Sequence, residues 1–119
     1  MSTKDSRVRV DTHDGVTHVT FVERHILEEA SIQKIGEEVG ALIDGEVSPK
    51  LLLDFSNVEH LSSSALGLLI TINNRVRAKG GQLRLANIDP QIYEVFVITQ
   101  LNKLFQIHAD TEQALASFK

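Results

Sequence analysis

The chain has 119 residues, 16 acidic and 12 basic side chains, and a formal net charge of −4 at pH 7. That length suits one compact domain, so we expect residues 1–119 to fold as a single unit with an ordered core of about residues 7–118 and a mobile N-terminus. The acidic balance argues against a nucleic-acid partner, because such domains usually present a basic face. The chain contains no cysteine, which excludes disulfides and thiolate metal sites.

The sequence carries no recognisable export or membrane segment. Residues 1–9 are polar and mixed in charge, and they lack the apolar core of a secretory signal. The longest apolar stretch, residues 66–72, is too short to span a bilayer. We therefore expect a soluble cytoplasmic protein with no membrane partner.

The first half of the chain predicts a hairpin, a helix and a buried strand. Two short β-favouring runs flank the pair Asp14-Gly15, which is typical of a hairpin turn between antiparallel strands. Apolar residues recur at helical spacing over residues 28–43. Residues 51–55 then form a nearly continuous apolar run, as expected of a central strand covered on both faces, and Asp54 interrupts this run near its end.

The second half continues the alternation of helices and strands. A second helix follows three consecutive serines and ends at Lys79-Gly80-Gly81, where glycine accepts the left-handed geometry of a helix end. A strand is predicted over residues 83–86, and a third helix begins at Asp89-Pro90. We expect one face of this helix to carry Ile92, Val95, Phe96 and Thr99.

A strand over residues 104–107 and a helix capped by Asp110 complete the order ββαβαβαβα. Strands separated by helices favour a parallel sheet with right-handed crossovers. The predicted fold class is therefore α/β. Its sheet is mixed but mostly parallel, with an antiparallel N-terminal hairpin strand and about four α-helices.

The three serines, Ser62-Ser63-Ser64, lie where a strand passes through a polar loop into the second helix. A serine just before a helix accepts a hydrogen bond from a free backbone N–H, so one of the three has a structural explanation. One cap needs only one serine, and solvent exposure alone accounts for the others. An added phosphate would lie against the positive end of the helix dipole, so a phosphorylation switch is the second interpretation.

The sequence around these serines resembles the STAS domains, and among them the anti-anti-sigma factors of bacterial partner-switching systems. The most specific part spans residues 52–69, in which residues 62–67, Ser-Ser-Ser-Ala-Leu-Gly, are similar to the family motif Asp-Ser-Ser/Thr-Gly-Leu-Gly. Ser62 stands where the family usually has Asp, and Ala65 stands where it usually has Gly. The resemblance covers about residues 7–118 and implies the STAS fold.

Matched position by position, the family's phosphorylated serine falls on Ser63, with Ser62 and Ser64 as fallback positions. The resemblance then implies an anti-sigma factor antagonist, which binds an anti-sigma factor with serine-kinase activity and is released once it is phosphorylated. The resemblance is also compatible with a serine phosphatase as a second partner and with a weak homodimer. Candidate partner-binding residues around the site are Asn57, Ser62, Ser64 and Asn87.

Two other functions compete with this switch. A STAS scaffold subunit of a signalling or lipid-transport complex would use its serines only as caps. A hydrolase is suggested by Asp54, His60 and Ser63, but the segment lacks the Gly-x-Ser-x-Gly elbow, so we predict no catalytic residue. Asp54 is interpreted instead as an acceptor that orders the loop after its strand.

The five histidines are scattered along the chain, and no two have the i, i+4 spacing of a helical metal site. We interpret them as surface or strand residues, with His60 in the loop at the partner-facing edge, and we predict neither a metal nor a cofactor. They are His13, His18, His25, His60 and His108.

Overall fold

A computed structural model describes residues 6–118, and the N-terminal segment expected to be mobile lies before this range. The strands are β1 (Val8–His13), β2 (Val16–Phe21), β3 (His25–Ile26), β4 (Lys50–Asp54), β5 (His60–Leu61), β6 (Gln82–Ala86) and β7 (Gln106–His108). The α-helices are α1 (Glu29–Asp44), α2 (Ser63–Ala78), α3 (Pro90–Ile98) and α4 (Thr111–Ala116), and a 3-10 helix spans Leu101–Lys103.

The main sheet has five strands in the order β1-β2-β4-β6-β7. The pair β1 and β2 is antiparallel, and the other neighbours in this sheet are parallel. The predicted mixed, mostly parallel sheet with four α-helices is therefore confirmed, and β4 lies at its centre as expected. The turn between β1 and β2 consists of Asp14 and Gly15, with φ of 50° and 83°, the positive values that a tight hairpin turn of type I′ requires.

The side chains of the central strand alternate between two cores. Leu51 and Leu53 face the larger one, in which α1, α2 and α3 cover one side of the sheet. Leu52 belongs to the smaller one, on the opposite side, with Ala114 of α4 and Phe118 just beyond that helix. Asp54 is two residues after Leu52, so its side chain lies on the same side of the sheet as α4, at the carboxyl end of β4.

The last strand begins two residues later and ends one residue later than the predicted span of residues 104–107. Residues 104 and 105 follow the 3-10 helix directly, and the backbone N–H of Phe105 donates to the carbonyl of Leu101 at 3.1 Å. Phe105 is buried in the larger core. The apolar residue at this position therefore serves core packing and does not indicate a strand.

The predicted apolar face of α3 is narrower than expected. Only Ile92 and Phe96 are buried, and these lie one turn apart. Val95 is 40% exposed. Thr99 is exposed at the end of the helix, where its hydroxyl donates to the carbonyl of Val95 at 2.7 Å. One residue per turn therefore contacts the core, and much of α3 faces solvent.

A second sheet of two short strands was not predicted. The strands β3 and β5 run parallel, with His25 opposite His60 and Ile26 opposite Leu61. The N–H of Ser62 donates to the carbonyl of Ile26 at 3.1 Å. This small sheet therefore fixes the point at which the chain enters α2.

Candidate functional site

The serine turn, Ser62 to Ser64, has one serine with a structural duty. Ser62 is the N-cap of α2, with extended backbone angles, and its hydroxyl oxygen accepts a hydrogen bond from the N–H of Ala65 at 3.1 Å. Its carbonyl accepts the first helical hydrogen bond, from Leu66, also at 3.1 Å. The expectation that one serine caps the helix is confirmed, and it is Ser62.

The other two serines are available to solvent. Ser63 and Ser64 are the first and second residues of α2, and both are exposed. Within residues 6–118 their hydroxyl groups make no hydrogen bond to the protein. The first turns of α2 are held against the larger core, because Ala65 and Leu69 are buried in it. Ser63 thus presents a free hydroxyl on a rigid helical turn.

The electrostatic setting of this turn favours an added anion. The first turn of α2 contains no acidic residue, whereas Arg75 and Arg77 lie in its last turn. The positive end of the helix dipole is therefore not compensated by a carboxylate within the helix. With the neutral Ser62 in place of the family's usual Asp, a phosphate on Ser63 would have no carboxylate on the preceding residue.

Ala65, the other departure from the family motif, fits its position without strain. It lies inside α2 and is 3% exposed. Among the described residues other than glycine, positive φ occurs at Asp14, Asn87 and Gln100, so Ala65 does not need a glycine-only conformation. Its methyl group packs in the core, and alanine favours a helix over glycine by about 1 kcal/mol.

Asn57 is an exposed residue of the loop between β4 and β5. Its side-chain amide donates to the carbonyl of Phe21 at 3.2 Å, which ties this loop to β2. Inside the loop, the N–H of Val58 donates to the carbonyl of Phe55 at 2.9 Å, and Val58 is buried. The loop before the serine turn is therefore ordered, with the rest of the Asn57 side chain at the surface.

Asp54 lies at the centre of a second polar group, which we call the Asp54 network: His18, Asp54, Asn87 and Thr111. One carboxylate oxygen of Asp54 is 2.8 Å from Nε2 of His18. The other accepts hydrogen bonds from the N–H of Ser56 and the amide of Asn87, both at 2.9 Å. The predicted role of Asp54 in ordering the loop is confirmed through Ser56.

Asn87 is held inside this network and is only partly exposed. Its amide nitrogen donates both to Asp54 and to the hydroxyl of Thr111, each at 2.9 Å, and its backbone has a positive φ of 61°. Asparagine tolerates this left-handed conformation better than most residues. The amide thus joins the ends of β4 and β6 to the start of α4.

Asp54 is buried, with 6% of the residue exposed. Burial disfavours its charged form, but the hydrogen bonds from Asn87, His18 and Ser56 outweigh burial and hold the pKa of Asp54 below its ordinary value. Asp54 is therefore ionised at neutral pH and acts as an acceptor only.

The hydrolase trio is not assembled within the described residues. Asp54 contacts His18, whereas the ring of His60 packs edge-on against the ring of His25, with centroids 4.8 Å apart. The hydroxyl of Ser63 has no hydrogen bond to either imidazole, so a base to activate it is missing. The arrangement does not support nucleophilic catalysis by this serine.

The pairing of His25 with His60 was not predicted from the sequence. These residues are 35 positions apart, and only the register of β3 with β5 makes them neighbours. Glu59 lies beside them, with a carboxylate oxygen 3.9 Å from Nε2 of His25. The only sequence hint is that each histidine precedes an apolar residue, Ile26 or Leu61, in a short run of its own.

None of the helices in the described part of the chain has the length and apolar character that a membrane crossing demands.

Comparison with known proteins identifies the family of this chain. The sequence profile of the STAS domain matches residues 7–114. The chain belongs to the STAS family. A curated relative, the candidate anti-sigma factor antagonist BtrV of Bordetella bronchiseptica, is 27% identical over 114 residues, which cover 95% of each chain.

Solved STAS structures share the fold. An anti-sigma-factor antagonist (STAS) domain protein from Planctomyces limnophilus superposes with a TM-score of 0.84 at 24% identity, over 94% of this chain and 97% of the other. An anti-sigma factor antagonist from Mycobacterium paratuberculosis gives a TM-score of 0.80 at 25% identity, over 92% and 91%. These similarities confirm the predicted STAS fold.

Proposed function

We propose that this STAS domain, comprising residues 1–119, is an anti-sigma factor antagonist whose affinity for its partner is controlled by phosphorylation of Ser63. Its partner is an anti-sigma factor with serine-kinase activity. The observation that carries the proposal is the exposed hydroxyl of Ser63 on the first turn of α2, which has no hydrogen-bond partner among residues 6–118. The relative BtrV, similar over nearly the whole chain and named as a candidate anti-sigma factor antagonist, supports the same function.

The surface around Ser63 has the mixed character of a protein-binding site. Ser64 and Asn57 provide exposed polar groups on the serine turn and the preceding loop. Beside them, a cavity of about 220 Å³ lies between β5, the first turn of α2 and α3, and its apolar lining includes Leu66 and Val95. Such a patch offers a partner both an apolar recess and a polar rim.

The remaining two predicted contact residues would act mainly through structure. Ser62 uses its hydroxyl oxygen to cap α2, and Asn87 uses its amide within the Asp54 network. Both therefore fix the position of the surface that the partner contacts. We assign direct contact to Asn57, Ser63 and Ser64.

Phosphorylation would change the charge of this surface without refolding the domain. The kinase would transfer the γ-phosphoryl group of ATP to Oγ of Ser63, while the hydroxyl proton passes to a base of the kinase and ADP leaves. The product carries about −1.5 to −2 charges at pH 7. In the free domain, the helix dipole and the exposed position accommodate this charge.

In the complex, the same charge would be costly. An unpaired charge in a packed interface costs on the order of 3 to 5 kcal/mol, which corresponds to a roughly 100- to 4000-fold loss of affinity. The partner is then released by occlusion and repulsion. In this proposal the domain catalyses nothing itself, because it is the substrate of its partner.

Calorimetric titration with the cognate anti-sigma kinase tests the proposal. We expect Ser63→Asp to weaken binding about 100-fold or more, and Ser63→Ala to bind like the wild type, because only the first places charge at the contact. Ser64→Asp is the matched control, with the same charge on the neighbouring exposed residue, and we expect a smaller loss. Equal affinities for Ser63→Asp and Ser63→Ala would reject the switch and favour a scaffold subunit.

A further inference from the structure

A cluster of metal-ligating side chains lies just before the serine turn. We call it the His25 cluster: His25, Glu59 and His60. One ligand atom from each residue can be chosen so that all three lie within 4.8 Å of one another. The two imidazole rings are in contact at an interplanar angle of 83°. All three residues are exposed, so an ion can reach them from solvent.

The backbone under this cluster is already fixed. His25 and His60 occupy directly opposite positions of the parallel pair β3 and β5. The N–H groups of Glu59 and His60 both donate to the carbonyl of Arg24, at 2.7 and 3.1 Å. Ile26, the residue after His25, is 3% exposed and anchors β3 in the core. Ligand binding therefore needs side-chain rotation but no rearrangement of the chain.

Competing interactions at the cluster are weak. The guanidinium of Arg24 approaches Glu59 only to 3.9 Å, and both side chains are more than half exposed. Such an exposed pair contributes little, so it does not hold the carboxylate against a bound ion. Glu59 and His25 are also 3.9 Å apart, beyond hydrogen-bond distance, which leaves their ligand atoms free.

We propose that the His25 cluster binds a divalent transition metal ion, with Zn²⁺ as its best match. Imidazole nitrogen and carboxylate oxygen are ligands that zinc prefers, at roughly 2.0 to 2.2 Å. Two nitrogens and one oxygen supply three positions of a tetrahedron, so the fourth belongs to water or to a group from another molecule. The ion joins β3 to β5 three residues before Ser63.

This inference does not depend on the proposed phosphorylation. The cluster would bind zinc whether or not Ser63 is modified, since none of the three ligands belongs to the serine turn. Its physical consequence is a cross-link between β3 and β5, directly before the serine turn. Because the ion binds the folded arrangement and not the separated side chains, zinc should raise the unfolding temperature of the protein.

Titration of the tag-free, 119-residue chain with zinc chloride, followed by isothermal calorimetry, tests the proposal. We expect one ion per chain. His25→Gln and His60→Gln should each weaken binding by about tenfold or more, and the thermal shift at a given zinc concentration should become correspondingly smaller. His13→Gln is the matched control, because it removes an exposed histidine that contacts a different one, His18, and we expect it to bind zinc normally.

Arg24→Gln separates a metal site from a structural effect. Removing this cation, which lies near Glu59, should strengthen zinc binding, whereas general damage to the fold would weaken it. Substitution with Co²⁺ should give visible absorption that His60→Gln loses. Zinc binding that survives both His25→Gln and His60→Gln, or that disappears in His13→Gln, would overturn the assignment, as would no binding to the wild type.

Discussion

The serine turn and the Asp54 network are both rich in polar side chains, but the hydrogen-bonding groups are exposed in the first and satisfied inside the protein in the second. In the Asp54 network a carboxylate that is 6% exposed meets donors from three parts of the chain. On the serine turn, Ser62 alone is used, and the hydroxyls of Ser63 and Ser64 remain exposed without a bond inside the described part of the chain.

This contrast separates structure from function. A buried polar group whose hydrogen bonds are all made stabilises the fold and has nothing left for a partner. An exposed hydroxyl on a rigid turn contributes little stability but can be modified or contacted. The two regions should therefore respond differently to substitution.

The largest expected effect on stability is at the Asp54 network. Asp54→Ala leaves the amide of Asn87, the N–H of Ser56 and the imidazole of His18 without their acceptor, and we expect a loss of about 3 kcal/mol in the free energy of unfolding. Urea unfolding followed by circular dichroism measures this loss. As the matched control, Ser64→Ala should change the free energy by less than about 0.5 kcal/mol. Similar losses of unfolding free energy for Asp54→Ala and Ser64→Ala would contradict the proposed difference between the two regions.

A smaller effect is expected from acid, which removes the charge of Asp54 but keeps its oxygens. Because the pKa of Asp54 is lowered in the folded state, its ionisation stabilises the protein above the unfolded pKa of about 3.9 and ceases to do so as the pH falls through the folded pKa. The difference in unfolding free energy between the wild type and Asp54→Asn should therefore shrink as the pH falls below about 4. A difference that stays constant from pH 7 to pH 3 would contradict this account.

The smallest effects lie within the serine turn itself. Ser62→Ala removes the cap and should cost about 1 kcal/mol, whereas Ser63→Ala should stay within about 0.5 kcal/mol of the wild type. Ser62→Asp restores the usual family residue and should keep the cap, because aspartate caps helices as well as serine does. Thermal or urea unfolding measures the stability of the three variants. A larger loss of stability for Ser63→Ala than for Ser62→Ala would show that Ser62 is not the capping residue.

Much of the fold could be predicted from local patterns. The apolar run of β4 and the turn at Asp14-Gly15 were visible in the sequence. So were the caps at Asp89 and Asp110, each of which accepts a backbone hydrogen bond as expected. These features depend on interactions between residues close together in the chain, so the local sequence is enough to predict them.

The long-range contacts could not be predicted in the same way. His18 and Asn87 reach Asp54 from 36 and 33 positions away. The strands β3 and β5 have two residues each, too few for any periodicity, and so the neighbourhood of His25 and His60 was missed. The choice of Ser62 as the cap also needed the structure, because sequence patterns place a helix start only to within a residue or two.

The most direct test of the central claim is the mass of the intact protein after incubation with the cognate anti-sigma kinase and ATP. We predict one added phosphate on the wild type and on Ser64→Ala, and none on Ser63→Ala. An unmodified wild type, or an unchanged phosphate on Ser63→Ala, would contradict the account.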